Sequence, residues 1–350
     1  SFADQGAIFS TQVSRDMATL SLRSLTAKEY LKPTLDTFTA AASQPRFDNK
    51  DLQREKQRQL VAIEDSRQSP MTIANEAFYQ ALYASGPYAR PVLGESQSIE
   101  SLSVTDVETF YKQFYVANNA MIVIVGDVSP QVAQQISEQI STALASGKAA
   151  AKQAKVNNDP KRKAITEKID FPATQTTIRM GQVGISYDSP DYMPLTVGNY
   201  TLGEGMFVSR LMEEVREQRG LSYYIGSRFS PLADNGPFAI SLSTENRQTQ
   251  EALTVVRKVL QEFVDEGPTD EELQAAKKFL SGNFSLLLDS NAAIAGVVLN
   301  LAFYERPLDY LDTYLERMEN VTRKDIVKAF QKHIEPDKMT TILVGKDENS

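Results

Sequence analysis

The hydrophobic and polar positions along the chain predict the same series of strands and helices twice. Alternating runs at Thr19–Leu22 and Ala239–Leu242 predict strands. Each run leads into a helical pattern, near Ala27–Ala42 and Thr249–Glu266. After a loop, each helix is followed by a second helix. The pattern therefore predicts two units built from the same kind of elements.

The closing segments of the two series match most closely. Leu102–Gly126 and Val321–Gly345 both begin with Ser/Thr-x-x-Asp, which predicts a helix N-cap with a returning carboxylate. Both continue as an amphipathic helix and end in a β-branched run before glycine, at Ile122–Val125 and Ile342–Val344. The cap and the final glycine are equally far apart in both copies. An internal duplication is therefore predicted, with a closing strand in each half.

This duplication predicts an α+β fold with two similar domains, each a mainly antiparallel sheet covered by helices. Residues 1–145 are expected to form the first domain and residues 164–350 the second. The stretch between them, 146–163, is poor in apolar residues and rich in lysine. It is interpreted as a solvated linker, with a basic docking site as the alternative.

The second half contains a front section, near 164–235, that has no counterpart in the first half. A comparison of the two halves predicts that about sixty residues of the first domain are missing at its N-terminus. The first domain is therefore expected to be truncated. Either the chain is a fragment or a processed product, or this half is truly reduced.

Composition excludes several classes of function. Acidic residues outnumber basic ones, 45 to 37, and the net charge of −8 disfavours a nucleic-acid partner. Without cysteine and with the single histidine His333, the chain has no thiolate site and no histidine pair for zinc. His333 lies on an amphipathic helix and is expected to be a partly buried structural residue. No membrane span is predicted, because the longest apolar stretch, Ala292–Phe303, is too short.

Four stretches together resemble the pitrilysin/insulinase metallopeptidases, the HxxEH inverzincins. Gly6–Asp16 resembles their Gly-Ala strand pair and Asp51–Pro70 their second-carboxylate helix. Tyr88–Thr105 resembles a P-x-x-G loop of the family. Gly203–Tyr224 resembles the second-domain signature G-x-x-S-R-L…R-E-x-x-G-L-x-Y and is the most specific match.

The resemblance implies that this chain binds no metal. Active members hold zinc with two histidines and a distant glutamate, which lies seven residues after another glutamate. Glu55 matches the first of these carboxylates, and Ala62 stands at the ligand position. Alanine cannot bind zinc. Glu55 is then either a residual active-site carboxylate or, the simpler interpretation, a surface residue paired with Arg54 or Arg58.

The resemblance also implies a role for Arg216 and Tyr223. In active members, the matching residues reach from the second half to the catalytic centre and bind the substrate backbone, an oxyanion-type role. The structural alternative is that Arg216 pairs with Glu213 and Tyr223 belongs to a strand core. The nearby Gly203-x-Gly205 is interpreted as a tight turn between helices rather than a phosphate site.

The function expected from these points is that of an inactive subunit, without catalytic residues of its own. It would form a heterodimer with a zinc-bearing partner of the same family and supply Arg216, Tyr223 and half of the peptide chamber. The peptide would add a strand to an exposed sheet edge, for which Met17–Leu22 is a candidate. The alternatives are a structural or peptide-binding protein without a role in proteolysis, and an active full-length precursor, against which Ala62 argues. The sequence leaves the compartment open; for a bacterial source the resemblance favours the periplasm.

Overall fold

A computed structural model of the chain describes residues 2–84, 86–151, 163–307 and 309–346. The strands are short, and they are β1 (Ile8–Val13), β2 (Ala18–Arg23), β3 (Ile165–Asp170), β4 (Gln175–Val183), β5 (Ile225–Phe229), β6 (Pro237–Glu245) and β7 (Thr340–Gly345). The α-helices are α1 (Lys28–Ser43), α2 (Asn49–Ser66), α3 (Pro70–Tyr83), α4 (Ser96–Ser101), α5 (Val104–Phe114), α6 (Pro130–Ala143), α7 (Tyr192–Asn199), α8 (Thr249–Glu266), α9 (Asp270–Phe284), α10 (Asn291–Phe303), α11 (Tyr314–Glu319) and α12 (Arg323–His333).

The helix starts follow the sequence signals. The side chains of Ser103, Thr269 and Thr322 each accept a hydrogen bond from the backbone N–H three residues ahead. The side-chain carboxylate of that later residue in turn accepts a hydrogen bond from the backbone N–H of the cap residue. These capping boxes satisfy backbone donors that the first helical turn leaves without partners. The helix caps predicted at Ser103 and Thr322 are therefore confirmed.

Contacts divide the described residues into two compact units that differ from the predicted domain boundaries. The first unit comprises 2–64, 92–151 and 288–303, and the second comprises 65–91, 163–287 and 304–346 with the gaps given above. Helix α3 thus belongs to the second unit and α10 to the first. Periodicity identifies a helix but not the sheet that it covers, which is why the boundaries differ. Of the linker predicted at 146–163, residues 152–162 lie outside the described residues.

The second unit has the five-stranded sheet of the predicted α+β fold, in the order β3-β7-β4-β6-β5. Strands β3 and β7 are parallel, and the other neighbours are antiparallel. One face carries the main core, in which Ile178 and Met180 pack with Leu195 of α7, Phe263 of α8 and Phe330 of α12.

Helix α3 covers part of the opposite face of this sheet. Ala74 and the fully buried Phe78 pack against Ala239, Ile342 and Val344. The helix comes close to β4 at Gly181, where a side chain would collide with the Phe78 ring and the β6 backbone. The sheet is therefore buried on both faces at this end.

The first unit contains the β1–β2 hairpin and a smaller core. Strands β1 and β2 pair antiparallel from Ile8 opposite Arg23 to Val13 opposite Ala18. Leu35 of α1 packs with Ile136 and Ile140 of α6 in a separate cluster.

The closing strand predicted at Ile122–Val125 is wrong. The segment forms no strand, although Ile122 and Ile124 pack against the cluster of α1 and α6. Its counterpart β7 lies between β3 and β4 and is paired along both edges. The apolar pattern is the same in both halves, but among the described residues no strand pairs with 122–125.

Among the described helices, none taken singly is both long and apolar enough to cross a bilayer. The helical stretches Asp270–Leu288 and Asn291–Phe303 meet these criteria as a pair, but they are bent by 107° at the break between them.

Candidate functional site

The segment between α7 and β5 brings Arg216 and Tyr223 together. It consists of a π-helical turn at Tyr200–Glu204, a 3₁₀ turn at Met206–Val208 and a second π-helical turn at Met212–Glu217. Two π-helical turns so close together are unusual, and such turns are often found at functional sites.

The 3₁₀ turn holds three apolar side chains out of the core. Met206 has a φ of 49°, a conformation that is rare outside glycine. The backbone N–H and the hydroxyl of the buried Ser209 both donate to the Met206 carbonyl, at 3.0 and 2.8 Å. These bonds hold the turn in place while Met206, Phe207 and Val208 remain exposed.

The glycines before this turn are required by close approach. A side chain at Gly203 would collide with Ser227 of β5, and one at Gly205 would lie 2.6 Å from the Tyr200 carbonyl oxygen. Gly205 separates the first π-helical turn from the 3₁₀ turn. The tight turn predicted at these glycines is confirmed at Gly205, whereas Gly203 lies within the π-helical turn.

The end of the second π-helical turn sets the direction of the chain toward Tyr223. Val215 is buried and anchors the turn, and Gly220 ends it with a φ of 63°. Gly220 donates to the Arg216 carbonyl at 2.8 Å, and Leu221 donates to the Val215 carbonyl at 2.9 Å. This glycine-terminated helix end reverses the chain.

Arg216 lies beside two aromatic rings. Its guanidinium carbon is 4.9 Å from the Phe207 ring centre and 5.3 Å from that of Tyr223. Its Nη1 atom is 3.2 Å from Oε1 of the exposed Glu217, and 27% of its side chain is exposed. Tyr223 itself is 85% exposed.

These contacts contradict the purely structural interpretation of Arg216 and Tyr223. Arg216 pairs with Glu217 and not with Glu213, and Tyr223 is on the surface rather than in a strand core. An exposed ion pair contributes little to stability, so Arg216 can exchange Glu217 for another acceptor. Together with the Tyr223 hydroxyl it offers several hydrogen-bond donors in one place.

A network of hydrogen bonds around the buried Asn199 and Ser227 joins the first π-helical turn to β5. Asn199 donates to Oε2 of Glu204 at 3.0 Å and to the Ser227 carbonyl at 3.1 Å. The Ser227 hydroxyl donates to Oδ1 of Asn199 at 2.6 Å. The network satisfies the buried side chains of Asn199 and Ser227 and fixes the start of the loop that carries Phe207.

The other arginine of the motif, Arg210, has a structural environment. It donates to both carboxylate oxygens of Glu272, at 2.7 and 2.6 Å, and to the Gly267 carbonyl at 3.0 Å. Burial raises the pKa of Glu272, but the hydrogen bonds from Arg210 and Thr269 outweigh it and hold the pKa below its ordinary value. Arg210 therefore joins this segment to the start of α9.

The residues on α2 do not fit a zinc site. Glu55 is exposed and forms ion pairs with Arg54 and Arg58, both at 3.1 Å, which are the contacts of the simpler interpretation. Ala62 lies seven residues further along the same helix, on the same face, and offers no donor atom. Within the described part of the chain, no group of three or more histidine, aspartate or glutamate residues is placed to hold a metal ion.

His333 is engaged in a structural contact. Its Nε2 atom lies 2.8 Å from Oδ2 of Asp191, and Lys332 Nζ lies 2.6 Å from the same oxygen. Burial raises the pKa of Asp191, and the hydrogen bonds from Lys332 and His333 lower it by more. The prediction of a partly buried structural histidine agrees with this position.

Sequence reasoning missed Phe207. The residue pattern predicts a helix over Phe207–Gln218, but Phe207 lies in the 3₁₀ turn ahead of the helical residues 210–217. The available signal was Met206-Phe207-Val208, three consecutive apolar residues after Gly-x-Gly and before the Ser-Arg-Leu motif. Such a run has no helical amphipathic spacing.

Comparisons with known proteins agree on a single family. Residues 101–280 match the profile of the peptidase M16 inactive domain. A Helicobacter pylori protein named non-peptidase homolog YmxG is 27% identical over 330 residues, covering 91% of this chain and 73% of that protein. An uncharacterized zinc protease of Streptomyces coelicolor is 24% identical, covering 87% and 70%. The crystal structure of a peptidase M16 inactive domain from Pseudomonas fluorescens superposes with a TM-score of 0.94 at 36% identity, covering 99% of this chain and 82% of that one.

Proposed function

Because the chain belongs to the peptidase M16 family, as a catalytically inactive homologue, we propose that it is the inactive subunit of a peptidase heterodimer. In this proposal it supplies Arg216, Tyr223 and half of the peptide chamber to an active, zinc-bearing subunit of the same family. Cleavage then requires both chains.

The position of Tyr223 carries this proposal. The Tyr223 side chain is 85% exposed and lies beside the Arg216 guanidinium, so it is not part of the core of this chain. A large exposed aromatic residue beside a cation is instead available to contact a ligand. Both side chains are hydrogen-bond donors, and the guanidinium of Arg216 presents several N–H groups in a planar arrangement. In a water-excluding chamber they would hold a peptide carbonyl and stabilise negative charge that develops on its oxygen.

Zinc chemistry belongs to the partner in this proposal. The side chains on α2 do not fit a zinc site. Ala62 stands at the position of the glutamate ligand, and the Glu55 carboxylate is paired with two arginines. The partner's zinc would activate water, and this chain would bind and orient the peptide.

The peptide would bind in an extended conformation. Within the described residues, β1 and β2 form a two-stranded sheet, so one edge of β2 has no neighbouring strand. Such an edge presents backbone donors and acceptors to an added strand. Binding of this kind depends on the peptide backbone more than on its side chains.

The first test is purification of the chain with its partners from the native source. Zinc content and cleavage of a quenched fluorescent peptide are measured on the complex and on the chain alone. We expect a zinc-containing partner and cleavage by the complex but not by the chain alone. Recovery of the chain by itself, free of zinc and inactive, would instead favour a structural or peptide-binding role without proteolysis. Fractionation of the same cells tests a periplasmic location, which we propose for a bacterial source.

The second test is the substitution Arg216→Ala in the reconstituted complex. Loss of an oxyanion-type donor is expected to lower kcat/KM by about 10²–10³. Arg219→Ala is the matched control, because Arg219 lies just beyond the same helical turn and pairs with Glu214 at 2.6 Å. If both variants cleave as well as the unmodified complex, Arg216 has no role in the reaction.

A further inference from the structure

We propose that Phe207 is a specificity-determining residue, which positions Arg216 and favours a large apolar side chain on the bound peptide. The inference rests on the proposed function of Arg216 as the group that binds the peptide backbone. It adds the class of peptide that the site prefers.

The contact between Phe207 and Arg216 is the first observation. The guanidinium lies closer to the Phe207 ring than to Tyr223, at 4.9 against 5.3 Å. A cation over an aromatic face is held by the ring quadrupole, and its N–H groups remain free at the edge for other acceptors. Phe207 thus restricts the position of a long side chain without using its donors.

The exposure of the turn is the second observation. Met206, Phe207 and Val208 are all more than half exposed, although they are consecutive in a turn that is fixed from beneath by Ser209. Positive φ at Met206 is a strained conformation that the surrounding contacts must maintain. A surface of this kind costs free energy in water, and such patches commonly mark binding sites.

The occupant follows from the neighbouring charge. A peptide carbonyl that accepts from Arg216 must lie beside the Phe207 ring, because the guanidinium and this ring are in contact. The side chain next to that carbonyl is therefore placed beside the exposed apolar ring of Phe207. A large apolar residue gains by leaving water there, whereas alanine gains little.

The experiment uses the whole chain labelled with ¹³C-methyl methionine. Met206 is a reporter within the site, and its signal is identified by its loss in Met206→Leu. The probes are short blocked peptides of serine, threonine and glycine, with one central residue varied among phenylalanine, leucine and alanine. We expect the phenylalanine and leucine peptides to shift the Met206 signal at concentrations about tenfold lower than the alanine peptide.

Variants separate the inference from the proposed function. Phe207→Ala should remove the preference for large apolar residues, and Phe207→Tyr, which keeps the ring, should retain it. Phe110→Ala is the matched control, since Phe110 is exposed to a similar extent and contacts the Phe114 and Tyr115 rings.

If the preference survives Phe207→Ala while Arg216→Ala abolishes binding, the inference is wrong and the proposed function stands. Equal binding of all the peptides also overturns the inference alone. If no peptide shifts any methyl signal of the chain, the inference is wrong, whereas the proposed function, which places the peptide in the chamber of the complex, is tested separately by the cleavage assay of the complex.

Discussion

Two arginines of one motif, Arg210 and Arg216, show how its surroundings distinguish a structural residue from one that is available to a ligand. Arg210 has both carboxylate oxygens of Glu272 and a backbone carbonyl as partners, and it is mostly buried. Arg216 has one exposed carboxylate and two aromatic rings. Since a satisfied bidentate pair leaves little capacity for a ligand, Arg210 maintains the fold and Arg216 is the group that remains available.

The substitution Glu272→Gln tests the role of Arg210. Glutamine preserves the shape and the capping-box acceptor but removes the charge. We expect the free energy of unfolding to fall by about 1.5–3 kcal/mol at pH 7, the range for hydrogen bonds to charged groups. Urea unfolding of the variant and of the unmodified chain measures this difference.

The same pair gives a pH dependence with a defined sign. The pKa of Glu272 is lowered on folding, so its contribution is fully present above the ordinary glutamate pKa of about 4.3. It is lost as the pH falls through the lowered value. The two proteins should therefore converge in stability at acidic pH, and a difference that persists or grows there would contradict this assignment. Glu245→Gln is the control, because Glu245 forms only an exposed pair with Arg247.

At the level of elements, helix α3 shows that packing decides where a helix belongs. Its sequence begins with a clear signal, since Ser69 caps it and Pro70 occupies the first turn. Nothing in that signal specifies the face of the sheet that Phe78 covers. Gly181 allows the approach, because β4 presents bare backbone at the point where the helix crosses.

Phe78→Ala tests the contribution of this contact. The ring is fully buried and also lies 5.1 Å from the Arg179 guanidinium carbon, so its removal leaves a cavity beside a cation. We expect a loss of about 3–5 kcal/mol in the free energy of unfolding. Phe78→Leu, which fills most of the space, should lose clearly less. Equal stability of both variants and the unmodified chain would show that α3 is dispensable for this sheet.

On the scale of the whole molecule, the second unit is assembled from three separate stretches of chain. Residues 65–91 come from the half that the duplication assigns to the first domain. The apolar surface at Ala239, Ile342 and Val344 is buried by α3. A fragment that follows the predicted boundary therefore lacks the helix that covers part of its sheet.

Expression of residues 164–350 alone tests this division. We expect the fragment to bind the dye ANS or to precipitate, since it exposes a face that the intact chain buries. Supplying residues 65–91 as a separate peptide should reduce dye binding and raise the melting temperature. A fragment that is soluble, binds no dye and does not respond to the peptide would support the predicted boundary instead.

Local signals in the sequence determined many elements of this protein. The caps at Ser103 and Thr322, the long helices and the turn at Gly205 follow from residues a few positions apart. The prediction that this chain binds no zinc also rests on the sequence, because it depends on residue types: no cysteine, one histidine and Ala62 at the position of the glutamate ligand implied by the resemblance. These features require no knowledge of distant contacts.

Tertiary structure decided the rest. Of the two similar apolar runs, 342–344 lies in strand β7 and 122–125 forms no strand. The difference arises because a strand exists only when neighbouring strands complete its hydrogen bonds. The exposure of Tyr223 and the contact of Arg216 with Phe207 depend on how two π-helical turns and Gly220 direct the chain. Periodicity reports which residues share a face of an element, but pairing, burial and side-chain contact depend on residues far apart in sequence.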